Sequence, residues 1–300
     1  MAYEFKYIDC NICGSKNRLY LGERIPRAYL IEKHLIAHIV KCKNCGLVYP
    51  YPMPFADGEQ VIKNYSRPET YFPTEISEER FKFYESILNR INGLIQNKGA
   101  LLDVGCGRGE LLYAAKKDGW QVCGVDISPN FAKYAEERFG VTVKVGEVKN
   151  LNFKPESFDA ITLISVLDHT YDPRGLILEL SRILKKGGVI FIEVMNNESL
   201  LYKLGNLYYR LQGKNITTSL SPTFPSFQIY GFSLKSISHL LNISGVKIQK
   251  IWPRGGISRT EKVAINNFRE RALRSARAAC IVFADLLNQG QVLEVYAKKG

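Results

Sequence analysis

From Ala100 onward, short apolar runs alternate with stretches whose apolar residues recur every three or four positions. The runs are Leu101–Val104, Val122–Val125, Val141–Val145, Ala160–Ile164 and Val189–Val194; the amphipathic stretches open at Glu110, at Ser128-Pro129 and at Pro173, the last reaching Leu184. Short apolar runs without polar alternation suit strands buried on both faces, so the pattern predicts a mostly parallel sheet covered by helices on each side. The punctuation agrees: Ser128 can cap a helix with Pro129 at its first position, Gly140 can close it, and Lys185-Lys186-Gly187-Gly188 places cations and then glycine at a helix end. Upstream, Phe81, Tyr84, Leu88 and Ile91 fall at helical spacing behind Glu78 and Glu79, predicting a leading helix. Residues 195–232 break the alternation. There Tyr202, Tyr208, Tyr209, Phe224, Phe227 and Tyr230 interleave with Pro222 and Pro225, which reads as a helical insertion and loop over the strand ends, a candidate lid. Beyond it, Ser233 can cap a helix carrying Leu234, Ile237, Leu240 and Leu241, followed by a strand at Val246–Trp252. A long helix from about Thr260 has Ile265, Phe268, Ala272, Ala276, Ala279 and Phe283 on one stripe and Arg269, Arg274 and Arg277 elsewhere, and a strand at Gln291–Ala297 closes the chain.

The N-terminal part follows another logic. Cys10 and Cys13 form one C-x2-C pair and Cys42 and Cys45 a second, with 28 residues between the pairs, and Gly14 and Gly46 follow each pair where a knuckle turn needs an unhindered backbone. Four thiolates at that spacing can close around Zn2+ in a structural site that leaves no position for water or substrate. A redox role would require the pairs to act separately, and His34 and His38 are not needed once four sulfurs complete the shell. The prolines of Tyr49-Pro50-Tyr51-Pro52-Met53-Pro54 mark the exit from this ribbon. The expected organisation is a zinc ribbon over 1–54, a linker and leading helix over 55–99, and the main domain over 100–300 with an insertion at about 195–232.

Composition adds the partner class. With 46% hydrophobic and 23% charged residues over 300 positions, the chain has the make-up of a globular protein, not of a disordered or collagen-like one. No apolar run approaches the roughly 18 residues needed to cross a bilayer, and the start lacks the order of a signal peptide, so a cytoplasmic chain is expected. The net charge of +12 is uneven: residues 1–100 carry 14 basic and 11 acidic side chains, 101–200 carry 12 and 14, and 201–300 carry 15 and 4. That last third suits an anionic partner: a phosphorylated or nucleotide-linked metabolite, nucleic acid, or a membrane surface.

The decisive chemistry lies in Asp103-Val104-Gly105-Cys106-Gly107-Arg108-Gly109-Glu110, a Gly-rich turn between a strand and a helix, with Asp126 ending the next strand about twenty residues on, where it can accept both ribose hydroxyls. Glu110 takes the place of the third glycine of a dinucleotide fingerprint, where it would meet a pyrophosphate, whereas a cationic, phosphate-free ligand suits both it and Asp103. This pattern resembles the class I S-adenosylmethionine-dependent methyltransferases. The resemblance continues through Gly124–Pro129, Gly146-Glu147-Val148, Phe158-Asp159, Ser165-Val166-Leu167-Asp168-His169 and Leu180–Val194. It implies a doubly wound, mostly parallel, seven-stranded Rossmann-like α/β sheet. It also implies cofactor contacts from Asp103, Gly105, Cys106, Gly107 and Gly109, from Asp126 and Ile127, and from Glu147, Val148 and Ser165.

Together with the ribbon, the chain resembles a bacterial group that often methylates sugars or related metabolites. Tyr230-Gly231-Phe232-Ser233 matches a segment of that group, although Gln228 stands where its histidine usually does. Similar sugar C-methyltransferases carry a further C-terminal domain that 300 residues would not hold, so O- or N-methylation is expected. A hydroxyl acceptor needs a base. His169 is the candidate, with Asp168 orienting it or meeting the adenosyl group, while Asn196, Gln228 and Tyr230 are candidates for the acceptor pocket. Two other readings stand beside a small anionic metabolite as acceptor: an RNA methyltransferase, and a non-catalytic binding subunit that keeps the cofactor fold. Oligomeric state is not encoded in these motifs.

Overall fold

The structure, a computed structural model, describes residues 3–24, 38–56, 77–220, 228–255, 280–281 and 283–300. His34, the prolines and phenylalanines at 222–227 and nearly all of the long helix expected from Thr260 lie outside the described residues.

Strands β1 (Glu4–Lys6), β2 (Arg18–Arg24), β3 (His38–Cys42), β4 (Val48–Pro50) and β5 (Met53–Phe55) build the N-terminal part: β1 pairs antiparallel with β5, and β2-β3-β4 run as an antiparallel meander. Helix α1 (Glu78–Asn92) starts at Ser77, whose hydroxyl accepts the Arg80 N–H, and buries Tyr84, Ile87, Leu88 and Ile91. Then come β6 (Ala100–Val104), α2 (Glu110–Lys117), β7 (Gln121–Asp126), α3 (Pro129–Phe139), β8 (Val143–Val145), β9 (Phe158–Ile164), α4 (Pro173–Ile183) and β10 (Leu184–Met195). The insertion supplies α5 (Leu200–Leu211) and β11 (Ile216–Thr217), and α6 (Leu234–Ile243), β12 (Val246–Arg254) and β13 (Val292–Lys299) complete the order. The central sheet is seven-stranded, β12-β13-β10-β9-β6-β7-β8, parallel except that β13 runs against both its neighbours. The α/β class and doubly wound sheet expected from the alternation are present.

Two details depart from the sequence pattern. Lys185-Lys186-Gly187-Gly188 does not end a helix; α4 stops at Ile183, and these residues form an irregularity inside β10, where the register against β9 shifts between Leu184 and Val189. The reason is local: the Lys185 ammonium goes to Asp159 at 2.8 Å rather than to helix carbonyls, and Gly187 takes a φ of +74°. The insertion, in turn, is built into the ribbon. Strand β11 pairs parallel with β2, giving a four-stranded sheet β11-β2-β3-β4, and the Glu23 N–H is bonded to the Asn215 carbonyl at 2.9 Å.

One apolar cluster runs from Ile12, Leu47, Tyr49 and Met53 of the ribbon into Leu102, Ile161 and Ile192 of the sheet and Leu240 of α6. The other sheet face packs Leu101, Phe191 and Tyr296 under α1, α2 and α3. Burying an aliphatic side chain contributes about 1.5–3 kcal/mol, so Ile12, Leu47 and Met53 alone hold the ribbon firmly to the main domain.

Candidate cofactor and metal sites

A doubly wound sheet leaves a crevice at its carboxyl edge where the strand order reverses. Here the chain enters the sheet at β6, moves to β7 and β8 on one side and then returns to β9 on the other, so the crevice lies between β6 and β9. The loops after those strands meet there: a side chain on Gly105 would place its Cβ 2.4 Å from Val166 Cγ2. Gly105, Gly107 and Gly109 have φ of +66°, +52° and +83°, a region costly for other residues, so the turn from β6 to α2 requires glycine for both conformation and space. The first amides of the turn are spoken for. Gly105 and Cys106 N–H donate to the Val125 carbonyl at 2.7 and 3.1 Å, and Gly107 N–H donates to Asp126 Oδ2 at 2.9 Å. The turn therefore does not present those three amides to a phosphate.

The charges favour a cation instead. Asp103 is buried with Thr162 Oγ1 donating to it at 2.7 Å; burial pushes its carboxyl up to about 7, against that hydrogen bond, and Asp126 and Glu110 add to the rise. Glu110, at the start of α2, accepts from Arg108 at 2.7–2.9 Å, with Arg80 at 4.0 Å. Asp126 is pushed up by burial, and the N–H groups of Ser128 and Gly107 pull it back. These two hydrogen bonds pin the carboxylate at the end of β7, while each oxygen keeps acceptor capacity for a ribose hydroxyl. The residues thus fit a nucleoside with a positive centre and no phosphate.

The other residues expected around the cofactor fall into two groups. Ser165 (φ +54°) is exposed at the crevice, Ile127 is half-buried beside Asp126, and Val148 is buried beyond β8. Glu147 is exposed and paired with Lys149 at 2.7 Å, and the Cys106 thiol is buried toward Gly124, its ionisation opposed by burial and by Asp103 and Asp126, so only its backbone belongs to the turn.

On the acceptor side, His169 is half-buried in the turn after β9, and its Nε2 stands 3.9 Å from Asp168 Oδ2, beyond hydrogen-bond reach. Asp168 is buried; its Oδ2 accepts from Gln228 Nε2 at 2.9 Å and its carbonyl from the Ile229 and Tyr230 amides. Tyr230 does not face an open pocket. It is fully buried, and its hydroxyl accepts from Asn11 Nδ2 and donates to the Tyr171 carbonyl at 3.2 Å, because the ribbon covers it. Asn196 is also interior, donating to the Gly290 carbonyl at 2.8 Å. Pattern reading missed Glu193, the acid within the apolar run of β10. Its carboxylate accepts from Ser165 Oγ at 3.2 Å and pairs with Arg254, which also pairs with Glu294, itself 2.6 Å from Arg90. An acid inside Val189–Val194 was the available signal, since a buried strand rarely holds an unpaired carboxylate.

Cys10, Cys13, Cys42 and Cys45 converge, their sulfurs within 4.8 Å of one another, with Cys10 to Cys45 at 3.4 Å and Cys13 to Cys42 at 3.6 Å. Those separations exceed a disulfide bond and approach the roughly 3.8 Å between sulfurs set tetrahedrally about 2.3 Å from zinc. The Cys10 thiol is drawn down to about 5, chiefly by Cys45 and, against burial, by the backbone at Cys13 and Ile12. Gly14 and Gly46 have φ of +68° and +85°, as knuckle turns require.

Residues 102–192 match the family described as a methyltransferase domain. A ubiquinone biosynthesis O-methyltransferase of Xanthomonas campestris is 36% identical over 110 residues, 35% of this chain and 46% of that protein. An uncharacterized protein of Methanocaldococcus jannaschii is 38% identical over 107 residues, 36% of this chain and 50% of that one. The chain thus spans about half the length of the curated relatives it matches. Among solved structures, the cyclase SpnF superposes with a TM-score of 0.51 at 18% identity, over 76% of this chain and 86% of that one, a likeness of fold. Residues 102–192 are thus similar to a methyltransferase domain, and the fold around them is shared with a solved structure of another activity.

Proposed function

We propose that this protein methylates an oxygen or nitrogen of a small anionic metabolite, such as a phosphorylated, nucleotide-linked or glycan sugar. The observation that carries the reading is the cradle at the β6–β9 crevice, where the amides of residues 105–107 are bonded internally and the buried carboxyls of Asp103 and Asp126 stand together, while Glu110 is paired with Arg108. When bound there, S-adenosylmethionine supplies an electrophilic methyl group on a sulfonium that leaves as a neutral thioether. The chain's part is mostly positional. Asp126 would hold the ribose hydroxyls, Ile127 and Val148 would line the place of the base, and Asp103 would meet the cationic end. His169, in the turn after β9, takes the proton when the acceptor is a hydroxyl. Asp168, bonded to Gln228, braces the acceptor-side loop instead of acting on the substrate. Oxygen as acceptor is supported by relatives named as O-methyltransferases, whereas a cyclase on the same fold is the reason that turnover must be measured and not assumed. The four-cysteine cluster holds structural Zn2+ in this reading.

The basic last third favours RNA as a second reading. Transfer of labelled methyl from S-adenosylmethionine into a cell extract, fractionated into RNA, lipid and small metabolites with Asp126→Ala as the blank, separates them. Label in small anionic metabolites is the expected result. Label confined to RNA supports the second reading, and none above the blank in any fraction contradicts both.

A further inference from the structure

Helix α5 is amphipathic in an unusual sense, because its polar side faces the protein. Asn206 Oδ1 accepts from the Thr217 and Thr218 hydroxyls and the Thr218 amide at 2.7–3.1 Å, and the Tyr202 carbonyl accepts from Thr218 Oγ1 at 3.2 Å. Gly205 lies so close to the same residue that an added Cβ would meet Thr218 Cγ2 at 2.7 Å. Tyr202, Gly205 and Asn206 therefore define the inward side. Leu204, Leu207, Tyr208 and Leu211 occupy the opposite one at i, i+3, i+4 and i+7, and they are 48, 51, 59 and 80% exposed. Four large apolar side chains in one outward stripe, over a helix about 18 Å long, are not the scattered exposure of an ordinary surface.

The charges around the stripe select its occupant. Lys203 and Arg210, both exposed, follow one border of it, Lys214 continues past the helix end, and no acidic residue occurs from Ser199 to Leu220. Phe283, Leu286 and Leu287 are exposed as well, and the chain just beyond them joins the first turn of α5 through the Leu200 amide and Lys203 ammonium, bonded to Gln289 at 3.1 and 3.0 Å. A second copy of this chain would bring these cations against their own kind, while an anionic bilayer surface accepts both the apolar stripe and its basic border. No helix among the described residues is long and apolar enough to cross a membrane, so the helix would lie in the interface and not span it. From this juxtaposition we infer that α5 docks the protein on anionic lipid surfaces, with Leu204, Leu207, Tyr208 and Leu211 entering the headgroup region and Lys203, Arg210 and Lys214 meeting lipid phosphates.

The test uses the full, zinc-loaded chain in flotation with phosphatidylcholine vesicles and with vesicles containing about one-third phosphatidylglycerol. Partition should be at least about tenfold greater on the anionic vesicles. It should fall to the neutral-vesicle level in Leu207→Glu/Leu211→Glu and in Arg210→Glu/Lys214→Glu, with circular dichroism and thermal midpoint unchanged because all four side chains are exposed. Failure to float on anionic vesicles would overturn the inference. So would flotation that survives both double variants, or a wild-type dimer that Leu207→Glu/Leu211→Glu dissociates without any vesicle binding.

Discussion

Asp103 is a carboxyl raised to about 7 in a chain whose proposed ligand is a cation, which makes it the most sensitive reporter of the site. Its folded value lies above the ordinary value near 3.9, so the stability it contributes is complete below about pH 4 and is lost as the pH rises through about 7. A cationic ligand favours the ionised form. Binding should therefore release a proton near pH 6, and affinity should climb from pH 5 to about 7 and then level; titration in buffers of different ionisation heats reads the proton directly, and Asp103→Asn should flatten the profile. Gly105→Ala tests the turn: with a positive φ and a Cβ only 2.4 Å from Val166, it should lower stability by about 1–3 kcal/mol in denaturant unfolding and weaken cofactor binding. These residues were legible because strand, turn and acid each leave a local signature. Tyr230, Asn196 and Gln228 were not, since their partners are 60 to 219 positions away, and a tyrosine in a loop gives no sign that a ribbon will cover it.

At the scale of elements, the ribbon and the acceptor-side loops form one assembly. Asn11, between two of the clustered cysteines, donates to the Tyr171 carbonyl at 2.7 Å and to Tyr230, while Val48 and Gly231 exchange backbone bonds at 2.8 and 3.0 Å. Tyr230→Phe removes one acceptor from Asn11 and should lower stability by about 1–2 kcal/mol, read in denaturant midpoints, with S-adenosylmethionine affinity unchanged. Most of the strands were visible as apolar runs; the ends were not. Strand β10 begins at Leu184, directly after α4, because Asp159 takes the Lys185 ammonium, and β11 joins β2 although a two-residue strand carries no periodicity.

For the whole molecule, the continuous apolar cluster from Ile12 to Leu240 means that the ribbon cannot loosen alone. One zinc per chain is expected by elemental analysis, and a strong chelator should lower the thermal midpoint of the entire protein in a single transition, not melt a small separate unit. The central claim concerns the crevice at the carboxyl edge of the sheet. It is tested most directly by isothermal calorimetry of S-adenosylmethionine with the zinc-loaded chain and with Asp126→Ala. The account predicts saturable binding at one site per chain, weakened at least about tenfold by the loss of the charged hydrogen-bond acceptor; no binding to the folded wild type, or equal binding to Asp126→Ala, would contradict it.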